Sequence, residues 1–187
     1  ASTDWWEGIF SMEEGDWSAG GSLATIVLGD SNNIRVQLSS SSSNISEKAY
    51  DTSTVINDGL WHHFAYTYDA TADTLKLYVD GSEDLSVTLH NDLAMTDFSV
   101  TAPIQLGADE YLGSNAFFDG SLDEVRIWDD IRTATEIADY YDQSLTGSEA
   151  NLVSYWDMEA LTNSTLQDVS SSANHGNNFG GAQTDIT

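Results

Sequence analysis

The sequence of 187 residues predicts an all-β, two-sheet antiparallel sandwich with one short helix. Short segments rich in β-branched and aromatic residues alternate with runs of Gly, Asp, Asn and Ser, which is typical of such a sandwich. Hydrophobic residues make up 40% of the chain, enough for one buried core, and the length suits a single domain over residues 1–187. Residues 162–187 contain few apolar residues, and we expect them to form a loosely attached edge or a linker.

The hydrophobic pattern predicts ten strands. They are Glu7–Met12, Ser22–Leu28, Ile34–Ser39, Ser46–Asp51, Trp61–Asp69, Thr74–Val79, Leu85–Leu89, Ile104–Gly107, Gly120–Asp129 and Leu152–Met158. The Asp80-Gly81 pair predicts a tight turn after the sixth strand. The strand that begins at Trp61 has bulky side chains on both faces, so we expect it to lie centrally in its sheet.

One helix is predicted after the ninth strand. Thr133 followed by Glu136 forms a capping box, in which each residue satisfies a backbone N–H at the helix start. Apolar residues then recur at helical spacing, at Ile137, Tyr140, Tyr141 and Leu145.

The charge balance narrows the classes of partner. Five Lys and Arg face 31 Asp and Glu, giving a net charge of -26, which argues against nucleic acid as a partner. There is no cysteine, so disulfides and thiolate metal sites are excluded. No apolar run suits membrane insertion and no signal pattern opens the chain, so we expect any export signal to lie outside this sequence.

Three stretches, in this order and spacing, resemble a known family. They are DGLWHHFAYTYD with LKLYVDG, then PIQLG, then FFDGSLDEVRIWDDIRTATEI. Together they are similar to the laminin G-like, concanavalin A-like jelly roll of bacterial surface proteins, which is related to the pentraxins. The resemblance implies a jelly-roll fold and an extracellular location. The later segment NLVSYWDMEA resembles the element that opens such a domain, so either it fills the first strand's place in the sheet or the sequence cuts into a larger array.

Calcium is the cofactor that the resemblance implies. By strand alternation Asp123 shares a face with Val125 and Ile127, which is expected to be the core side, so its carboxylate needs compensation. Calcium bound by Asp123 would supply it, and so would hydrogen bonds from backbone N–H groups or an arginine. Glu124 and Arg126 are expected to pair on the opposite face.

A second set of calcium ligands is implied by the loop LGADEYLGSN, because the matching pentraxin loop holds calcium. Asp109 and Glu110 occupy the corresponding positions, and Asp16 is the expected partner from a distant loop. Tyr111 departs from the acidic pattern, and a solvated acidic loop is the structural alternative.

Aromatic residues in predicted loops are candidates for ligand binding, because carbohydrate sites combine aromatic faces with Asp, Asn and Glu. The candidate ligand-binding residues are Trp5, Trp6, Trp17, Tyr111 and Asn115. Trp61, Trp128 and Trp156 fall within strand patterns and are expected in the core. The adjacent His62 and His63 are expected to be structural.

The favoured function is a calcium-dependent binding module for a glycan or another cell-surface ligand, within a large bacterial adhesin or multidomain secreted protein. Neighbouring domains of that protein would be its other partners. A structural or protein-binding spacer is the alternative. Catalysis is not expected, because no strand carries two acidic residues in the alternating glucanase pattern, and five basic residues are few for lyase chemistry.

Overall fold

The computed structural model describes residues 7–13, 23–29, 31–39, 48–89, 104–108, 117–159, 161–162 and 165–177. The chain divides into two units, Ala1–Gly120 and Ser121–Thr187. That these units form one domain over residues 1–187 stays a prediction. Among the described residues, no helix has the length and apolar character needed to cross a bilayer.

The described strands of the first unit make two sheets. They are β1 (Glu7–Glu13), β2 (Leu23–Leu28), β3 (Asn33–Ser39), β4 (Lys48–Val55), β5 (Phe64–Asp69), β6 (Thr74–Val79), β7 (Ser82–Thr88) and β8 (Ile104–Leu106). Antiparallel pairing joins five of them in the order β4-β3-β2-β1-β8 and the other three in the order β5-β6-β7.

The core lies between these sheets. In β3, every second residue from Ile34 is apolar, so Ile34, Val36 and Leu38 share one face and are each no more than 2% exposed. Leu75 and Leu77 of β6 are fully buried and belong to the same hydrophobic cluster. The predicted antiparallel jelly-roll sandwich is thereby confirmed.

Asp84 connects the two sheets at one edge. Its carboxylate, on β7, accepts hydrogen bonds from the backbone N–H and the hydroxyl of both Ser53 and Thr54 on β4, at 2.6–3.1 Å. Burial opposes ionisation, but these four donors outweigh it and lower the pKa of Asp84 below its ordinary value. The two sheets are therefore held together by a polar contact beside their apolar core.

The described residues of the second unit form the helix and five strands. They are β9 (Val125–Trp128), α1 (Ala134–Tyr140), β10 (Leu152–Trp156), β11 (Leu161–Thr162), β12 (Thr165–Leu166) and β13 (Gly176–Asn177). β10 pairs with β9, and the three short strands form a sheet of their own. The predicted capping box is confirmed, with Thr133 Oγ1 accepting from Glu136 N and the Glu136 side chain accepting from Thr133 N.

A buried carboxylate organises the end of this unit. Asp168 is 3% exposed and accepts backbone hydrogen bonds from Tyr155, Ser170 and Asn174 at 2.8–3.0 Å. Burial disfavours its charge, yet these donors lower the pKa of Asp168. Trp156 adds an indole hydrogen bond to the Asn174 carbonyl at 3.1 Å. Residues 165–177 thus attach to β10 through polar contacts that an apolar pattern does not reveal.

Two predicted strands begin too early. Residues 61–63 and 120–124 are not strand, so β5 begins at Phe64 and β9 at Val125. The cause at the second position is Glu124, whose φ of 55° interrupts the extended backbone. The other predicted strands lie within a few residues of the observed bounds, whereas the short strands β11, β12 and β13 are not among those predicted.

We predict that Gly147→Ala destabilises the second unit more than a matched substitution at Gly59 destabilises the first. Both glycines have φ near 81° (81° and 82°), so alanine costs about 1 kcal/mol of backbone strain at either position. A Cβ at Gly147 would lie 2.2 Å from the Val169 carbonyl oxygen, whereas one at Gly59 meets nothing within 4 Å. Denaturant unfolding should show an additional loss of roughly 1–3 kcal/mol for Gly147→Ala. Equal losses would contradict the close approach to Val169.

We also predict that Asp84→Asn lowers the free energy of unfolding at pH 7 by about 2 kcal/mol, because it removes a charged acceptor of four hydrogen bonds. The folded pKa of Asp84 is depressed, so its contribution is fully present above the unfolded pKa of about 3.9 and is lost as pH falls through the folded value. The gap between wild type and variant should therefore narrow in urea unfolding as pH falls below about 3.9.

The control is Asp139→Asn on the exposed side of α1, which removes the same charge from this acidic chain. It should change stability by less than about 0.5 kcal/mol at either pH. A pH-independent loss in the Asp84 variant would show that the ionised carboxylate is not what the donors stabilise.

Candidate functional site

The candidate site residues of the first unit lie in segments that adjoin strand β1. Trp5 and Trp6 directly precede Glu7, the first residue of β1, and the segment with Asp16 and Trp17 directly follows its last residue. These four residues lie outside the described part of the chain. The strand that they adjoin has a fixed place in the sheet, because β1 pairs with β2 on one side and with β8 on the other.

The segment with Asp109, Glu110, Tyr111 and Asn115 also attaches to β1. It too lies outside the described residues, but both of its attachment points, Ala108 and Phe117, are described. The two attachment points are joined by a β-bridge.

The contacts of these attachment points fix where the segment begins and ends. Gly107, with φ at 71°, turns the chain after β8, and Ser11 Oγ then donates to the Ala108 carbonyl at 3.2 Å. At the other attachment, Phe117 forms a bridge with Gly8, and Asp119 N donates to a Glu7 carboxylate oxygen. The segment therefore starts beside Ser11 and returns beside Gly8.

The face of the sheet opposite the core is polar where this segment starts. Ser11 and Gln37 register with the same β2 residue, so they point to the same side, away from Ile26 and Val36. They are only 1% and 3% exposed. The two segments adjoin β1 at different places, because residue 14 follows Glu13 at the end of β1, whereas the antiparallel pairing with β8 brings Ala108 towards the start of β1.

Asp123 lies in the second unit and is exposed, so the expectation that it faces the core is wrong. β9 begins only after it, and the positive φ of Glu124 breaks the alternation on which that expectation depended. Its Oδ1 accepts Glu124 N at 2.9 Å, as in the backbone alternative. Partial desolvation and the nearby Glu124 and Asp157 carboxylates raise the pKa of Asp123.

The predicted pair of Glu124 and Arg126 is present, at 2.5 Å. Tyr155 donates its hydroxyl hydrogen bond to Glu124 at 2.8 Å, and partial burial together with this carboxylate raises the pKa of Tyr155 to about 12. Arg126 also donates to the Tyr140 and Gln143 carbonyls at the end of α1. The pair therefore has a structural role, since it joins β9, β10 and the helix.

Trp61 was expected in the core, and this expectation is wrong. Trp61 is 67% exposed and its neighbour Leu60 is 73% exposed. Trp156 is buried as expected, at 5%, while Trp128 is half-buried under the Arg132 guanidinium, 4.3 Å from the ring centroid. Leu60 and Trp61 form an exposed apolar pair that the strand pattern does not predict. The Asp58-Gly59 pair before them is a turn signal and indicates that the strand begins later.

His62 is structural, as expected, and its partners are now evident. Its Nδ1 lies 2.9 Å from an Asp80 oxygen and its Nε2 lies 3.2 Å from an Asp58 oxygen. His63 N donates to the other Asp80 oxygen at 2.9 Å. These bonds connect the segment before β5 to the turn between β6 and β7.

Within the described ranges, no group of three His, Asp or Glu side chains has an arrangement that could hold a metal ion. Asp16, Asp109 and Glu110 lie outside those ranges, so their role as metal ligands stays a prediction.

Comparison with known proteins finds solved structures with a similar fold. A protein of Bacteroides ovatus described as a "putative carbohydrate binding protein" matches with a TM-score of 0.63 and 18% identity, over 91% of this chain and 46% of that one. A heptameric SAP-like pentraxin of Limulus polyphemus matches with a TM-score of 0.52 and 16% identity, over 72% of this chain and 62% of that one. No curated protein matches the chain.

These likenesses show the fold alone, and the chain spans less than two thirds of either structure. The family model of the concanavalin A-like lectin/glucanases superfamily, Laminin_G_3, matches residues 1–138 and therefore covers most of the sequence. The chain belongs to this laminin G-like family of concanavalin A-like domains.

Proposed function

We propose that this chain is a calcium-dependent glycan-binding module of a large extracellular bacterial protein, such as an adhesin or a multidomain secreted protein. The observation that carries the proposal is that the segment with Asp109 and Glu110 starts after β8 and returns beside Gly8, next to the end of β1 that Trp5 and Trp6 precede. Flat aromatic faces and carboxylates contributed by these segments would together suit a glycan.

Calcium is supported by the charge of the chain. With five basic residues against 31 acidic ones, carboxylates on neighbouring loops have few cationic side chains to neutralise them. Calcium accepts several carboxylate and carbonyl oxygens in flexible geometry, which suits acidic groups contributed by separate segments. Asp16, Asp109 and Glu110 would hold one ion, and Asp123 would contribute to a second in the other unit.

The glycan class is supported by the family and by the description of the Bacteroides ovatus protein. We propose binding without catalysis, in keeping with the absence of paired carboxylates on one strand in the sequence. Neighbouring domains of the same protein would be the other partners. A structural spacer, in which calcium only rigidifies the fold, is distinguished from this function by the two experiments below.

We predict that millimolar calcium raises the melting temperature and that a chelator reverses the rise, because a ligand of the native state stabilises it by mass action. The double variant Asp109→Asn, Glu110→Gln should lose most of this response. The control Asp139→Asn removes one carboxylate from α1 and should keep the full response. A response that is equal in all three proteins would place the calcium elsewhere, and no response in the wild type would remove the calcium claim.

We predict that the calcium-loaded protein binds one class of glycan on an array and that Trp5→Ala, Trp6→Ala, Trp17→Ala or Tyr111→Ala weakens binding at least tenfold, or about 1.4 kcal/mol. Tyr140→Ala, which removes an aromatic residue that is 47% exposed on α1, serves as the control and should bind as the wild type does. Calcium stabilisation without binding to any glycan would instead support the spacer function.

A further inference from the structure

The turn between β4 and β5 exposes two adjacent large apolar side chains, Leu60 at 73% and Trp61 at 67%. Scattered exposed apolar residues are common on proteins, but a tryptophan next to a leucine gives a continuous apolar surface that folding leaves in water. The core of the unit is already closed by Leu75, Leu77 and their cluster without either side chain. Neither side chain therefore contributes to the described core.

The backbone of this turn is held firmly. Asp58 Oδ1 accepts Leu60 N at 2.9 Å, and Asp80 Oδ1 accepts His63 N at 2.9 Å. The amide of Asp80 donates in return to the His63 carbonyl at 2.9 Å. Trp61 is thus fixed between two tied backbone positions, and its ring is presented to solvent by a rigid turn. A rigid aromatic surface loses little conformational entropy when a ligand binds it.

His62 completes this arrangement, and its geometry defines its charge. Both ring nitrogens face carboxylate oxygens, of Asp80 at 2.9 Å and of Asp58 at 3.2 Å. An ionised carboxylate only accepts hydrogen bonds, so both nitrogens must carry a proton for both bonds to form. Both bonds therefore form together only with the imidazolium, and Asp58 and Asp80 are the charged groups that act on the ring. Loss of its proton would break one of the two bonds.

The chemistry around Trp61 selects its ligand. The Asp58 and Asp80 side chains remain 46% and 44% exposed, so they can accept hydrogen bonds from hydroxyl groups near the ring. The net charge of -26 repels acidic partners, including sulfated or uronic acid glycans. The imidazolium offsets one of the two flanking carboxylates, so this turn is not strongly anionic.

We propose that the Leu60-Trp61 turn is a second sugar-binding site, on which the apolar face of a neutral pyranose ring stacks against Trp61 while Asp58 accepts a hydroxyl hydrogen bond. This inference rests on the proposed glycan-binding function, and it adds a site separate from the calcium loops. The flat indole face matches the C–H face of a pyranose ring, and the nearby carboxylate orients the hydroxyls at its rim.

The test is titration calorimetry with the neutral glycan that the array identifies, using wild type, Trp61→Ala, Trp61→Phe and the control Tyr140→Ala. We expect two sites in the wild type, at least a tenfold loss of affinity at one of them for Trp61→Ala, a smaller loss at that site for Trp61→Phe and none for Tyr140→Ala. Because the Trp61 side chain is exposed, all four proteins should have the same melting temperature. Indole N–H signals in a heteronuclear NMR titration provide a direct readout, and the Trp61 signal should shift on addition of sugar.

The protonation of His62 gives an independent readout. The hydrogen bond to Asp80, supported by that to Asp58, raises the pKa of His62 above its ordinary value. Both hydrogen bonds of His62 are therefore present below its pKa, and one of them is lost as the pH rises through that pKa. Affinity at this site should fall as the pH rises above about 6.5, the value at which an unperturbed histidine titrates. His62→Gln, which cannot titrate, should remove this pH dependence.

The possible outcomes separate this inference from the proposed function. A wild type that binds a glycan, with Trp61→Ala binding equally well, overturns the stacking site and leaves the glycan function standing. A wild type that binds no glycan in calcium overturns both. Binding of a lysine-rich peptide through Trp61 in place of any sugar would overturn the assignment of the ligand.

Discussion

The fold depends on hydrogen-bond donors that neutralise its carboxylates. Five basic side chains accompany 31 acidic ones, so most carboxylates cannot be paired with a cation of the same chain. Backbone N–H groups, and at Asp84 also hydroxyls, stabilise the carboxylates of Asp84 and Asp168 instead, and each accepts hydrogen bonds between strands or across a turn. Because such donors have fixed directions, each of these carboxylates also determines where a loop or strand end lies.

Much of the fold follows from local patterns. Alternation of apolar residues in β3 and β6 predicts the two faces of the core, and Thr133 with Glu136 predicts the start of the helix. The predictions are wrong where polar contacts or backbone conformation, and not the apolar pattern, determine the structure. The short strands of residues 161–177 have little apolar pattern, and their attachment depends on the buried Asp168.

The candidate site is less accessible to sequence reasoning, because its contacts join residues that are far apart in the chain. Trp61 follows the same alternation as the strand after it, which favours a buried position, but Asp58-Gly59 ends the preceding extended backbone and Asp80 holds the next residues. The pairing of β1 with β8 similarly carries no local signal. Residue type identifies the candidate aromatic and acidic side chains, whereas only the topology shows that the ends of their segments adjoin β1.

This topology has a consequence for the order of folding. The β5-β6-β7 meander closes through short turns, whereas β1 reaches β8 only when Phe10 meets Leu106, across most of the first unit. Loop-closure entropy makes that contact the slower event. During synthesis the meander leaves the ribosome before β8 exists, so β1 waits with one edge unpaired. The strand that the candidate segments adjoin is thus completed last, after most of the unit has been translated.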